Sequence, residues 1–139
     1  MSIHEFRGRG ESGIDEATED LGAVVLGVAV EVHRVLGPGL PESVYRKAMS
    51  HELRLRGIAH VCEAVVPIVY KGELVGEGRL DILVEDRVIV ELKCVECLTP
   101  VHRAQAVAYL QAKKLKLAFL INFNVAILKD GIKRVVNTF

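Results

Sequence analysis

The feature that most constrains the fold is the run Val88-Ile89-Val90-Glu91-Leu92-Lys93. Its β-branched, apolar start predicts a strand covered on both faces. Side chains alternate along a strand, so Glu91 and Lys93 project to one side of it. Charges left unpaired in such a place are costly, so a neighbouring element must satisfy them. Asp81 is the candidate partner. In an antiparallel pair directly opposed residues share a face, and a connection centred on Asp86 sets Asp81 opposite Glu91. That register needs an odd connection such as Glu85-Asp86-Arg87. A two-residue turn through Glu85-Asp86 would oppose Asp81 with Val90 and send the acids to opposite faces.

The flanking segments predict how this strand is covered. Leu21, Val24, Val25, Val28, Val32 and Val35 keep helical spacing from Asp15 until Gly37-Pro38-Gly39. Pro41 opens a second helix, with Glu42 at its start, that runs through Tyr45, Met49 and Leu53 to Gly57. Val61 to Tyr70, Glu73 to Val84 and Arg87 to Lys93 read as strands, joined first by a Lys71-Gly72 turn into an antiparallel meander. Thr99-Pro100 opens a third helix reaching Leu115, Leu117 to Phe123 is a central strand, and a short hairpin through Lys129-Asp130-Gly131 closes the chain. The order predicts an α/β fold, mixed α+β in character, with a mixed central sheet flanked by helices. Residues 1–14, polar and glycine-rich, are expected to form a flexible tail, and residues 15–139 one domain.

Composition excludes some classes. The longest apolar stretch, Leu21 to Val30, is too short to span a bilayer, so no membrane passage is expected. The first residues lack the apolar centre of a signal peptide, and the odd set Cys62, Cys94 and Cys97 fits free thiols, so a cytoplasmic, reducing address is expected. Net charge is zero, yet residues 1–92 carry 10 Lys and Arg against 16 Asp and Glu, while residues 93–139 carry 8 against 2. A basic face drawn from Lys93, Arg103, Lys113, Lys114, Lys116, Lys133 and Arg134 is therefore open to a polyanion, although solvated helix ends and turns would account for most of them equally well.

Two converging carboxylates about 4 Å apart repel by roughly 4 kcal/mol at an effective dielectric near 20. Either one protonates or a cation sits between them. All-oxygen donors favour Mg²⁺ or Mn²⁺, which bind through carboxylates, waters and substrate phosphate. Phosphodiester chemistry is the natural candidate, with Lys93 orienting water or offsetting transition-state charge. The bland alternative is a surface ion pair between Glu91 and Lys93. Cys94-Val95-Glu96-Cys97 has thiolate-metal spacing but no second pair.

Asp81 followed by Glu91-Leu92-Lys93 resembles the signature of the PD-(D/E)XK nuclease superfamily, although Arg79-Leu80 stands where the proline of that name would be. Gln105-Ala106-Val107-Ala108-Tyr109 is similar to the Q-x-x-x-Y element of its RecB-like and Cas4-like branch. Gly39-Leu40-Pro41-Glu42-Ser43-Val44-Tyr45 resembles the motif of the small bacterial GxxExxY proteins, with further likeness in Glu31-Val32-His33, Tyr70-Lys71-Gly72, Leu98 to His102 and Ile121-Asn122-Phe123. The resemblance implies a restriction-endonuclease-like core and a Mg²⁺- or Mn²⁺-dependent nuclease. It implies Asp81, Glu91, Lys93 and Glu42 as the catalytic group, with Asp81, Glu91 and Glu42 on the metal. It implies Gln105 and Tyr109 against the substrate, and His102 is a further candidate there. Nucleic acid is the expected partner, DNA ahead of RNA, and a homodimer the expected assembly. The alternative is a catalytically silent nucleic-acid-binding or protein-interaction module on the same fold.

Overall fold

The computed structural model describes residues 3–8 and 13–137. Three helices, α1 (Glu16–Leu36), α2 (Glu42–Leu55) and α3 (Pro100–Lys113), flank five strands, β1 (His60–Tyr70), β2 (Glu73–Val84), β3 (Val88–Lys93), β4 (Leu117–Asn122) and β5 (Ile132–Val136). The sheet order is β1-β2-β3-β4-β5, with β3 and β4 parallel and the other pairs antiparallel. The β3–β4 pair is parallel because α3 carries the chain back across the sheet between them, as a parallel connection requires. The fold is thus α/β with a mixed sheet and helices on both faces, as the order of elements predicts.

Side-chain alternation divides the core into two layers. Ile82, Val84, Val88, Val90, Leu92, Leu117, Phe119 and Ile121 pack with Val25, Val28, Ala29 and Val32 of α1 and Tyr45, Met49 and Leu53 of α2. Leu83, Ile89, Ala118, Leu120 and Val135 pack with Ala106, Tyr109 and Leu110 of α3. Central β4 is buried throughout, which explains its unbroken apolar run. Each helix has a local start signal. The Asp15 side chain accepts from the Thr18 N–H at α1, and Thr99 forms a capping box with His102 at α3. Pro41 is the N-cap of α2 rather than its first helical residue, so Glu42 leads the helix.

Two local readings differ from the structure. The link from β4 to β5 is not a short hairpin. It occupies residues 123–131 and ends in a 3-10 turn, Leu128–Gly131, where Gly131 packs so tightly on the Asn122 carbonyl that any Cβ there would collide with it. Within the segment expected to be a flexible tail, Ile3 and Phe6 pack on the α1 and α2 layer and Ile14 is buried. The Phe6 carbonyl accepts from Arg134 at 2.8 Å, and Arg7 pairs with Asp20 at 2.8 Å. Residues 1–2 and 9–12 of that segment lie outside the described residues.

Candidate active site

β2 and β3 are joined by the three-residue connection Glu85-Asp86-Arg87, in which Glu85 and Asp86 take left-handed backbone angles of φ 49° and 55°. Val84 pairs with Val88, Leu83 with Ile89 and Ile82 with Val90. One step further, Asp81 stands opposite Glu91. There side chains replace the backbone ladder. The Asp81 N–H donates to Glu91 Oε1 at 3.0 Å, and the Leu92 N–H donates to Asp81 Oδ2 at 2.7 Å. Face alternation along β2 breaks at the same place, since Leu80 joins the α3 layer although Ile82 packs on the other. Each acid is therefore anchored through one oxygen; the second oxygen of Glu91 is left for other chemistry, and that of Asp81 faces the Arg46 guanidinium at 3.9 Å.

Electrostatics mark this pair. Burial first, then the Asp81 charge, pushes the Glu91 carboxyl up to about 8. Asp81 is raised mainly by burial, and Glu42 by burial and then by Asp81. Three acids that each bind protons too readily form a field that a cation would relieve. The Lys93 ammonium acts on all three in the opposite sense. Lys93 is half-buried, follows Glu91 by two residues at the end of β3, and its carbonyl is held by the Phe123 N–H at 3.0 Å. Asn122 closes the turn after it, accepting from the Val95 and Asn124 N–H groups and donating to the Val95 carbonyl.

Of the α3 candidates, His102 lies close enough to Glu42 to lower its proton affinity. The Gln105 amide donates to the Tyr109 hydroxyl at 3.4 Å, and the Tyr109 ring covers Gly78 so closely that any Cβ there would overlap it. Among the hydrogen bonds His102 makes, its Nδ1 accepts from the Thr99 N–H at 3.1 Å, so that ring nitrogen serves the helix cap.

Sequence reasoning passed over Arg46 and Glu63. Arg46 lies one turn beyond Glu42 on α2, with its guanidinium 3.9 Å from Asp81 Oδ1 and 3.7 Å from Glu63 Oε1. The four-residue step from Glu42 is a signal that could have found it. Glu63 stands opposite Asp81 across β1 and β2 and has φ 53° within a strand, a strained value for a residue with a side chain. Conversely, several cations of residues 93–139 are engaged elsewhere or lie far from Lys93. Arg134 is bound to Glu19, Lys116 donates to the Gly13 carbonyl, and Lys114 lies near the start of β4, which pairs with Val88. That is the opposite end of β3 from Lys93, roughly 16 Å of strand away.

Among the described residues no three His, Cys, Asp or Glu side chains form a group able to hold a metal by themselves. Asp81 and Glu91 still suit a hard cation. Their anchored carboxylates are all-oxygen donors, and Mg²⁺ characteristically binds through one or two carboxylates, completing its shell with water and phosphate. The three cysteines are free.

An aspartate on one strand facing Glu-x-Lys on the next, in a mixed sheet between helices, is a restriction-endonuclease-like arrangement. A family model of the PD-(D/E)XK nuclease superfamily matches residues 19–135, and the chain belongs to that superfamily. No curated protein matches it. No helix among the described residues is long and apolar enough to cross a membrane.

Proposed function

We propose that the protein is a Mg²⁺- or Mn²⁺-dependent nuclease that hydrolyses phosphodiester bonds, in DNA ahead of RNA. The observation that carries this reading is the Asp81–Glu91 pair, two carboxylates pinned by backbone N–H groups and held above their ordinary proton affinity beside Lys93. Asp81 and Glu91 would hold the metal, with Glu42, whose carboxyl feels the Asp81 charge, as the helper carboxylate at the start of α2. When bound, the metal supplies Lewis acidity to the phosphoryl oxygen and a more acidic water. The Lys93 ammonium orients the attacking water and offsets charge on the pentavalent transition state. Gln105, Tyr109 and His102 border the substrate from α3.

The Gly39 to Tyr45 motif supports a place among the GxxExxY proteins, and the free thiols suit a cytoplasmic address. Exposed Val65, Val69 and Leu74 on the β1–β2 hairpin supply a surface for a homodimer. The test is incubation with single-stranded, duplex and branched DNA and with RNA, in Mg²⁺ or Mn²⁺. Wild type cuts at least one of them. Lys93→Ala loses about 100-fold or more in rate, a loss typical for a group acting on transition-state charge. Binding without cutting under every condition would leave the silent-module reading in its place.

A further inference from the structure

A cleft runs beside the acids, between α2 and the leading part of β1. Glu42, Arg46, Ser50 and Arg54 follow one another along α2 at four-residue spacing, about 6 Å of rise per step. The stripe begins at the proposed metal acids and continues away from them. Two adjoining hollows of about 240 and 460 Å³ lie along it. The first is lined by Arg46, Lys47, Ser50, Arg54, Cys62 and Glu63, and the second by Ser50, Arg54, Ile58, Ala59, His60 and Cys62.

The floor is built rather than incidental. Arg54 donates to the Ser50 hydroxyl at 2.8 Å, Ser50 is 2.8 Å from His60 Nε2, and His60 Nδ1 is 2.9 Å from the Ile58 carbonyl. That carbonyl only accepts, so Nδ1 carries a proton and the ring orientation is set. Ser50 is buried, yet Arg54 and Lys47 are exposed, and among the described residues neither has a carboxylate partner. Arg54 spends one guanidinium donor on Ser50 and keeps the rest. A clasp tying α2 to β1 would need only that one donor and would give Lys47 no part. Glu63 is the one acid in the lining, and no Phe, Tyr or Trp is there for bases to stack on; the one ring, the His60 imidazole, is held by Ser50 and the Ile58 carbonyl.

We propose that this cleft is a phosphate track: Arg46, Lys47 and Arg54 hold the backbone of one nucleic-acid strand and lead it to Asp81 and Glu91, independent of base sequence. It deepens the nuclease reading and rests on it, but binding and cutting are measured separately.

The test is fluorescence anisotropy of a labelled single-stranded 20-mer with the full chain in a Lys93→Ala background, titrated across salt concentrations. Lys47→Ala and Arg54→Ala each weaken binding about 5- to 10-fold, and each lowers the slope of log K against log salt by about one. Lys114→Ala, at the far end of the sheet, leaves both unchanged. Lys47 makes no ion pair among the described residues, so its loss reports on the strand and not on folding. Unchanged affinity and slope in Lys47→Ala and Arg54→Ala overturn the track, as does an equal loss in Lys114→Ala or a wild-type chain that binds no oligonucleotide. If wild type with Mn²⁺ cuts nothing while the two variants still weaken binding, the track stands and the nuclease reading fails.

Discussion

At the residue scale, the site turns on a carboxyl that is uncomfortable when charged. Glu91 is buried, and burial and Asp81 together raise its proton affinity to about 8. The unfolded chain holds this group near 4.3. The folded state therefore binds the extra proton between those values. The stability it contributes is complete below the unfolded value and is lost as pH rises toward 8. Asp81 and Glu42 are shifted in the same direction. Metal-free protein should lose stability between about pH 5 and pH 8. Glu91→Gln should flatten that decline and raise the melting temperature at pH 8, while losing the stabilisation that Mg²⁺ or Mn²⁺ gives wild type. Differential scanning calorimetry in chelator and in metal measures both. A Gln variant with the wild-type pH profile would remove Glu91 as the group responsible.

At the element scale, α2 carries Glu42 and Arg46 to the sheet, and its entry is secured by the segment before it. Gly39 takes φ 98° in that turn, and the Tyr45 hydroxyl donates to the Gly37 carbonyl and accepts from the Leu40 N–H. The Tyr45 ring is fully buried and stacks on Phe123 with centroids 4.5 Å apart. Glycine and tyrosine in this motif thus build the turn that presents the glutamate between them. Tyr45→Phe keeps the stacking and strands both backbone groups, so it should cost about 1–2 kcal/mol. Urea unfolding checks this: the midpoint falls with the slope unchanged.

At the scale of the whole molecule, Arg134 of edge strand β5 binds both oxygens of Glu19 on α1 at 2.7 Å and also the Phe6 carbonyl. One guanidinium ties the sheet edge, the first helix and the N-terminal segment together. Glu19 is buried and would keep only the Gly8 N–H and the Arg7 charge, so Arg134→Ala should destabilise by about 2–3 kcal/mol. Thermal unfolding measures the loss, and replacing both partners, Arg134→Met with Glu19→Leu, should recover much of it. Because Arg134 is spent on structure, charge counted along the chain overstates the cations that residues 93–139 leave free. The acidic stretch before residue 93 contributes Arg46, Lys47 and Arg54 beside the acids, whereas Lys114 and Lys116 stand at the other end of the sheet.

The sequence by itself determined the order of helices and strands, because periods of 3.6 and 2 are local properties of a chain. It narrowed the facing of Asp81 and Glu91 to two registers, and the three-residue connection found between Val84 and Val88 is the one that sets the acids opposite each other. Only the tertiary structure decided what stands on the far side of Asp81. The Lys71-Gly72 turn pairs Tyr70 with Glu73 and Val69 with Leu74, and continued without interruption it would set Glu63 opposite Leu80. A bulge at Val75 shifts the pairing by one, so Glu63 meets Asp81 and Arg46 reaches both. No local pattern announces such a bulge, because its position depends on how the twisted hairpin fits the helices and strands packed against it.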